Sequence, residues 1–223
     1  MSGVLAQVPL FAEFSGSELT ALASFIRSRR YPKGSIIFHE GDPGTTLYLI
    51  ETGEVKLTII SDSGKEAIVA LLGPSAFFGE LSLLDGEPRS ANAVARVDCK
   101  LGALEREHLL RFLAEHPRAT ASLLSVLARR LRRTTDQVHD AIFLDLPARL
   151  AKVLIQFMEA KSQGPDGRLS APKLTQEELA ELVGGTRESI NRCLAIYAGQ
   201  GWVRRHRGMV TVLKPEELRK QIY

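Results

Sequence analysis

Two cysteines, Cys99 and Cys193, are all that 223 residues contain. They stand far apart and without a metal-ligand spacing, which excludes a disulfide scaffold and a cysteine zinc site and points to a reducing compartment. No stretch approaches the roughly 20 uninterrupted apolar residues that a membrane span requires. The opening MSGVLAQVPLFAEF has no basic region followed by an apolar one, so no export signal is read, and the expectation is a cytoplasmic protein without a membrane partner. No Ser-His-Asp set, metal cluster or pair of carboxylates stands out, and the chain is not read as an enzyme. What is present, 44% hydrophobic and 25% charged residues, is the composition of a soluble globular protein. The length admits one large domain or two ordinary ones.

Charge is unevenly spread. Residues 1–117 carry 11 Lys/Arg against 15 Asp/Glu, a net of −4. Residues 118–145 carry 5 against 3, and residues 146–223 carry 13 against 8, a net of +5. An acidic first half and a basic last third suggest a polyanionic partner for the C-terminal part, although an excess of five is also that of a well-solvated surface.

Three textures follow one another. Gly16 to Arg29 reads as a short helix, with Leu19, Leu22, Ala23 and Ile26 at helical spacing. Short β-type runs follow at Ser35–Phe38, Thr46–Ile50, Glu54–Ile59 and Ala67–Leu72, separated by Gly34, Gly41, Gly44, Gly53, Gly64 and Gly73. That spacing reads as a β-sandwich or barrel. A long helix is then expected from Pro117 to about Phe143. Leu124, Leu131 and Val138 recur by seven, as do Leu127, Thr134 and Ala141. The two sets interleave as an a/d heptad, which reads as a dimer seam across a two-fold axis; packing on the chain's own domain is the other reading. The polar Thr134 at a seam position needs a hydrogen-bond partner, either its own helix backbone or a ligand. A boundary is placed at Asp145–Pro147, because proline disfavours helix at the residue before it. Beyond it come a helix from about Ala148 to Lys161, a loop with Gly164, Pro165 and Gly167, two helices joined by a tight turn, a basic hairpin and a last helix at Pro215–Gln221.

The two joined helices are the more specific signal. Thr175-Gln-Glu-Glu178 is a capping box, Gly184-Gly185 makes the turn, and Thr186 can cap the second helix. On that helix Ile190, Cys193, Leu194 and Tyr197 share one face, and Arg187, Glu188, Asn191 and Arg192 share the other. This is a helix-turn-helix with polar side chains where a recognition helix presents its base readers. Arginine can donate twice to guanine and glutamate can accept from cytosine, and Thr186 with the amides near it suits a phosphate. Arg204, Arg205 and Arg207 fall near the tip of a wing hairpin, Gly201 to Val212, where arginine holds backbone phosphate more often than it reads bases. A helical hairpin for protein contacts is the alternative.

Phe77-Phe-Gly-Glu-Leu-Ser-Leu-Leu-Asp-Gly-Glu-Pro-Arg-Ser-Ala91 is the decisive stretch of the first half. Gly79 lets backbone approach a ligand, Glu80 to Leu84 can form one helical turn, and Arg89 follows after a return turn. An acid for a ribose hydroxyl, free amides and an arginine for phosphate make a nucleotide-phosphate site; a salt bridge across a turn would leave the same pattern.

With this stretch, the heptad helix and the helix-turn-helix in that order, essentially the whole chain resembles the CRP/FNR family of bacterial regulators, and within it the cAMP-receptor branch. The resemblance rests on FGELSLLDGEPRSA, on RRLRRTT leading into FLDLPARLA, and on LTQEELAELVGGTRESINR. It implies an α+β chain: a jelly-roll-like β-roll that binds a cyclic nucleotide (residues 1–117), a dimerisation helix (118–145) and a winged helix-turn-helix (146–223). In the family's phosphate cassette Glu80 would accept the ribose 2′-hydroxyl, Arg89 would pair with the cyclic phosphate, Ser90 would hydrogen-bond it, and Gly79 and Leu81 would supply backbone. Thr134 falls where the family contacts the adenine amine and Thr135 where the partner subunit reaches the same base. Arg187, Glu188 and Arg192 match base-reading positions of members that recognise TGTGA-type half-sites, with Thr186, Ser189, Asn191, Arg204 and Arg205 beside them on the DNA face. The implied partners are double-stranded DNA, a second copy of the chain and RNA polymerase.

Subfamilies differ in ligand. Iron–sulfur members need an N-terminal cysteine cluster, and no cysteine precedes Cys99. Haem-binding members use particular ligands; His39, alone beside a strand, reads as a surface residue. No metal, haem or iron–sulfur cluster is therefore expected; Glu80 with Arg89 points to a cyclic nucleotide as allosteric ligand, and Ser90 with Thr134 favours cAMP ahead of cGMP. The alternatives are a CRP/FNR-type regulator that answers to another ligand or to none, and a cyclic-nucleotide module of an enzyme or channel, whose fused catalytic or membrane segment is not seen.

Overall fold

The computed structural model describes residues 5–11, 14–159, 174–206 and 209–222. They form two compact units, one with residues up to Ile59 and from Val69 to Leu131, the other with Ile60–Ile68, residues 132–159 and residues 174–222.

Two four-stranded sheets dominate the first unit. Chain order runs from a helix, α1 (Gly16–Ser24), to β1 (Arg27–Tyr31), β2 (Ile36–Phe38), β3 (Thr46–Thr52), β4 (Val55–Ile60), β5 (Glu66–Leu72) and β6 (Phe77–Phe78). A short helix α2 (Leu81–Asp85), β7 (Asn92–Ala95), β8 (Cys99–Glu105) and α3 (Arg106–Glu115) complete it before α4 (Pro117–Phe143). One sheet has the order β1-β8-β3-β6 and the other β2-β7-β4-β5. Alternation along the strands sorts side chains into two cores. Leu47, Leu49, Phe77 and Leu104 pack with helical residues such as Leu19, Phe112, Leu123 and Val126, whereas Tyr48, Ile50, Phe78, Leu101 and Ala103 pack with Val55, Leu72 and Ala93 of the other sheet. β3 is buried on both faces from Thr46 to Glu51 and carries the apolar run Leu47–Ile50.

The four β-type runs are present with shifted ends. The helix expected over Gly16–Arg29 is not: α1 stops at Ser24, where the Phe25 amide closes onto the Leu22 and Ala23 carbonyls. Arg27–Tyr31 is instead a strand paired antiparallel to β8, from Arg27↔Ala103 to Tyr31↔Cys99. Ile26 is buried as its spacing suggested, but the periodicity recorded burial and not helix. A strand of sequence RSRRY carries no apolar alternation, so the ladder to β8 overrides its local preference.

The second unit follows from α4 through α5 (Leu146–Glu159), α6 (Gln176–Val183), α7 (Arg187–Gly199), the hairpin β9 (Val203–His206) and β10 (Met209–Val212), and α8 (Pro215–Arg219). The break after α4 falls at Leu144–Asp145, and α5 begins two residues earlier than expected. Asp145 caps α5, its carboxylate accepting from the Ala148 amide at 2.9 Å. Pro147 therefore sits in the first turn, where a missing N–H costs nothing. The last helix ends at Arg219 rather than Gln221. Lys161, the loop with Gly164, Pro165 and Gly167, and Arg207 lie outside the described residues. Leu150, Leu154, Leu179, Val183, Ile190, Leu194, Tyr197 and Val203 make the core.

Candidate ligand cradle and nucleic-acid interface

β6 pairs with β3 through Tyr48↔Phe78 and Leu49↔Phe77, which brings the chain to Gly79 at the edge of the sheet. Gly79 turns it with φ +80°, and a Cβ there would lie 2.6 Å from Arg89 Nη1 and 3.2 Å from the Thr46 carbonyl. Any side chain there would be strained by the backbone conformation and would push on Arg89. α2 follows, held by Arg106 Nε donating to the Leu83 carbonyl at 2.8 Å. The return segment is clamped by the Arg89 amide on the Asp42 carbonyl and the Gly41 amide on the Arg89 carbonyl.

Arg89 is thereby drawn inside, 5% exposed. Nη1 donates to the Gly79 carbonyl and Nη2 to the Thr46 carbonyl, each at 2.7 Å. The guanidinium lies over the Phe38 ring at 4.3 Å. Nε is buried and makes no hydrogen bond. Among the described residues no carboxylate forms an ion pair with Arg89. Burial pushes its pKa below the ordinary arginine range, opposed by the charges of Tyr48, Glu80 and Asp42. Gly44 clears a second side, since a Cβ there would meet Ser82 at 2.3 Å and Arg89 Cζ at 3.1 Å. A buried cation that bonds only neutral carbonyls and keeps one donor unsatisfied is a site built for an anion.

Glu80 is equally enclosed, 4% exposed, but it is paired. Arg130 on α4 donates from Nη1 to its carboxylate at 2.6 Å and from Nη2 to the Phe77 carbonyl at 2.6 Å, with its guanidinium 4.7 Å from the Phe77 ring centre. Sequence reasoning overlooked Arg130; the signal that leads to it is the need of a buried carboxylate for a cation, with the basic run Arg129–Arg133 on the following helix. Ser90 and Leu81 are exposed beside the cradle. Thr134 and Thr135 lie on the part of α4 that belongs to the second unit, and both are exposed.

On α4, Ala119, Leu123 and Val126 face the core of the first unit, and Leu127 packs at its edge. Of the heptad positions, Leu124, Leu131 and Val138 are 62%, 68% and 53% exposed.

In the second unit the capping box is formed: the Glu178 amide donates to Thr175 Oγ1 at 3.1 Å and the Thr175 amide to the Glu178 carboxylate at 2.8 Å. Gly184 takes the left-handed conformation at φ +68°. Thr186 caps α7, accepting from the Ser189 amide at 3.2 Å. Thr186, Arg187, Glu188 and Arg192 are exposed, and Ser189 and Asn191 half-buried, while Ile190, Cys193, Leu194 and Tyr197 face inward. The amide of its own residue and the Thr186 hydroxyl hold the Glu188 carboxyl below its usual range. The hairpin is fixed to α7 by the Trp202 amide on the Tyr197 carbonyl and by buried Val203. Tyr197 OH donates to the Pro147 carbonyl at 2.8 Å. Arg204 and Arg205 are exposed on β9, and Arg205 reaches Asn191 at 2.9 Å.

Residues 28–116 match the cyclic nucleotide-binding domain family and residues 148–221 the Crp-like helix-turn-helix domain family. The CRP-like cAMP-activated global transcriptional regulator of Mycobacterium tuberculosis is 37% identical over 222 residues, 99% of each chain. The chain belongs to the CRP/FNR family. Another CRP/FNR relative, the cyclic AMP receptor protein of Thermus thermophilus, is 38% identical over 204 residues, 92% of each chain. Among solved CRP/FNR structures, the catabolite activator protein of Thermus thermophilus aligns at 36% identity and a TM-score of 0.56, over 96% of this chain and 98% of that one. The c-di-GMP-responsive global regulator CLP of Xanthomonas campestris aligns at 25% identity and a TM-score of 0.76, over 89% and 99%. The α+β architecture of a jelly-roll-like sheet domain, a long helix and a C-terminal helix-turn-helix is that of the CRP/FNR proteins. No described helix is long and apolar enough to cross a membrane, and no described group of three or more His, Cys, Asp or Glu could hold a metal.

Proposed function

We propose that this chain is a homodimeric, cyclic-nucleotide-responsive transcription regulator with cAMP as its allosteric ligand. The observation that carries the reading is Arg89, a buried cation without an anionic partner and with an idle Nε. A cyclic phosphate supplies the missing charge and acceptor. Glu80 accepts a ribose hydroxyl, with Gly79, Leu81 and Ser90 beside the phosphate. The relatives' names, cAMP-activated regulator and cyclic AMP receptor protein, favour cAMP over cGMP.

The division of labour is a sensor of residues 1–117, a dimerisation helix of 118–145 and a DNA-binding domain of 146–223. Exposed Leu124 and Val138 on α4 support the seam, because an apolar heptad stripe in water is stabilised by covering it with an identical helix. Thr134 and Thr135 lie along that seam and join it to the nucleotide base. A ligand that binds the DNA-competent dimer more tightly shifts the population toward it. The two α7 helices then lie one DNA turn apart for a palindrome of TGTGA-like half-sites. Arg187, Glu188 and Arg192 read bases, with Thr186, Ser189 and Arg204 on the phosphates and Asn191 and Arg205 beside them on the same DNA face. RNA polymerase is the downstream partner and the cytoplasm the location.

Calorimetric titration of cAMP, cGMP and cyclic di-GMP against the purified protein tests this. Binding of cAMP with the highest affinity is expected. Binding of cyclic di-GMP alone replaces the ligand, and binding of none removes the sensor role.

A further inference from the structure

The two wing arginines occupy different faces of the hairpin. Val203 is buried against α7, and side chains two apart on a strand share a face, so Arg205 projects toward the helix while Arg204 projects from the opposite side. Arg205 Nη2 donates to Asn191 Oδ1 at 2.9 Å. Asn191 stands one turn beyond Arg187 on α7, and so on the same side of the helix.

A guanidinium has donors only. The atom that meets it must therefore be the amide oxygen, because the flipped amide would set donor against donor. The contact fixes the Asn191 amide, with Oδ1 turned to the wing and Nδ2 directed away from it. An unrestrained asparagine reads adenine by using both atoms, Oδ1 accepting from N6 and Nδ2 donating to N7. With Oδ1 turned to the wing, Nδ2 is the group that Asn191 directs away from it, which suits guanine O6 or N7, thymine O4 or a phosphate oxygen.

We propose that Arg205 is a specificity-determining positioning residue: by holding Oδ1 of Asn191 toward the wing it leaves Nδ2 as the outward group and disfavours the bidentate adenine contact, which needs both atoms on one base edge. The inference rests on α7 being the recognition helix. It leaves Arg204 as the wing arginine directed to the phosphate backbone.

Relative affinities for a library of randomised half-sites test it, with the full chain in the presence of cAMP, at two salt concentrations. The proteins compared are the wild type, Arg205→Ala, Asn191→Ala and the double variant. Arg205→Ala is expected to gain preference for adenine at one base pair by about 3- to 10-fold, the scale of a hydrogen bond to a base. The salt slope should stay unchanged and the gain should vanish in the double variant. An equal loss on every sequence, with a salt slope smaller by about one, would make Arg205 a phosphate contact and overturn the proposal. Persistence of the adenine gain without Asn191 overturns it as well. A wild-type protein that selects no sequence refutes the recognition-helix reading itself, which separates that failure from the others.

Discussion

Replacing Arg89 with methionine keeps an unbranched side chain in the cradle and removes its charge. Arg89 is 5% exposed, so a phosphate bound there meets a guanidinium already stripped of water. Each hydrogen bond from such a group to an anion contributes about 1.5–3 kcal/mol, and two of them about 3–6 kcal/mol. At about 1.4 kcal/mol per decade, the Kd for cAMP should rise at least about 100-fold. Stability without nucleotide should move far less. The variant loses the bonds to the Gly79 and Thr46 carbonyls, but it also loses the cost of burying an unpaired cation and the idle Nε, about 1–3 kcal/mol for that donor alone. Calorimetry measures the affinity, and thermal unfolding with and without cAMP measures the rest. At a nucleotide concentration of 100 Kd the wild type gains about 2.7 kcal/mol, or roughly 5–11 °C for a chain of this size; the variant at the same concentration should gain at most about 0.4 kcal/mol. A variant that binds cAMP within tenfold of the wild type would refute the anion-site argument.

Arg130→Met strands the Glu80 carboxylate, whose side chain is 5% exposed. Loss of about 3–5 kcal/mol is expected and should appear as a lower unfolding midpoint; adding Glu80→Gln should restore much of it, and an unchanged midpoint would show that the pair contributes nothing. Leu124→Glu places a charge on the α4 stripe while touching little of the protomer's own core, so sedimentation should show monomers; an intact dimer would move the seam elsewhere. Arg187→Ala should cost about 1–3 kcal/mol at a cognate half-site and relax preference at one base pair, measured by competition binding, whereas a uniform loss would make it a phosphate contact. Burial pushes both Cys99 and Cys193 thiols above their ordinary range. At pH 8 neither should react with a thiol reagent until denaturant is added, and rapid labelling of the native protein would contradict their burial.

Legibility in the sequence tracked how local the cause was. The α7 cap, the Thr175 box and the left-handed Gly184 depend on residues within one turn of each other, and all appear where the residues placed them. The 27-residue α4 begins and ends as its periodicity implied. β1 and β8 were not legible, because Arg27–Tyr31 acquires its conformation from a partner some seventy residues away. β6 is two residues long, too short for any period to register.

The ligand cradle divides in the same way. Sequence by itself determined the kinds of groups in it: Gly79 for a close approach, a carboxylate at 80 and an arginine at 89, the groups that the proposed function assigns to a nucleotide's ribose and phosphate. Tertiary structure decided their state. It buried Arg89 against Phe38 and two carbonyls without an anion, and it gave Glu80 to Arg130 on α4. It also bound Asn191 to the wing through Arg205. Those outcomes depend on desolvation and on which charges the fold brings within hydrogen-bond distance. No local pattern encodes them, because each one joins residues that only packing makes neighbours.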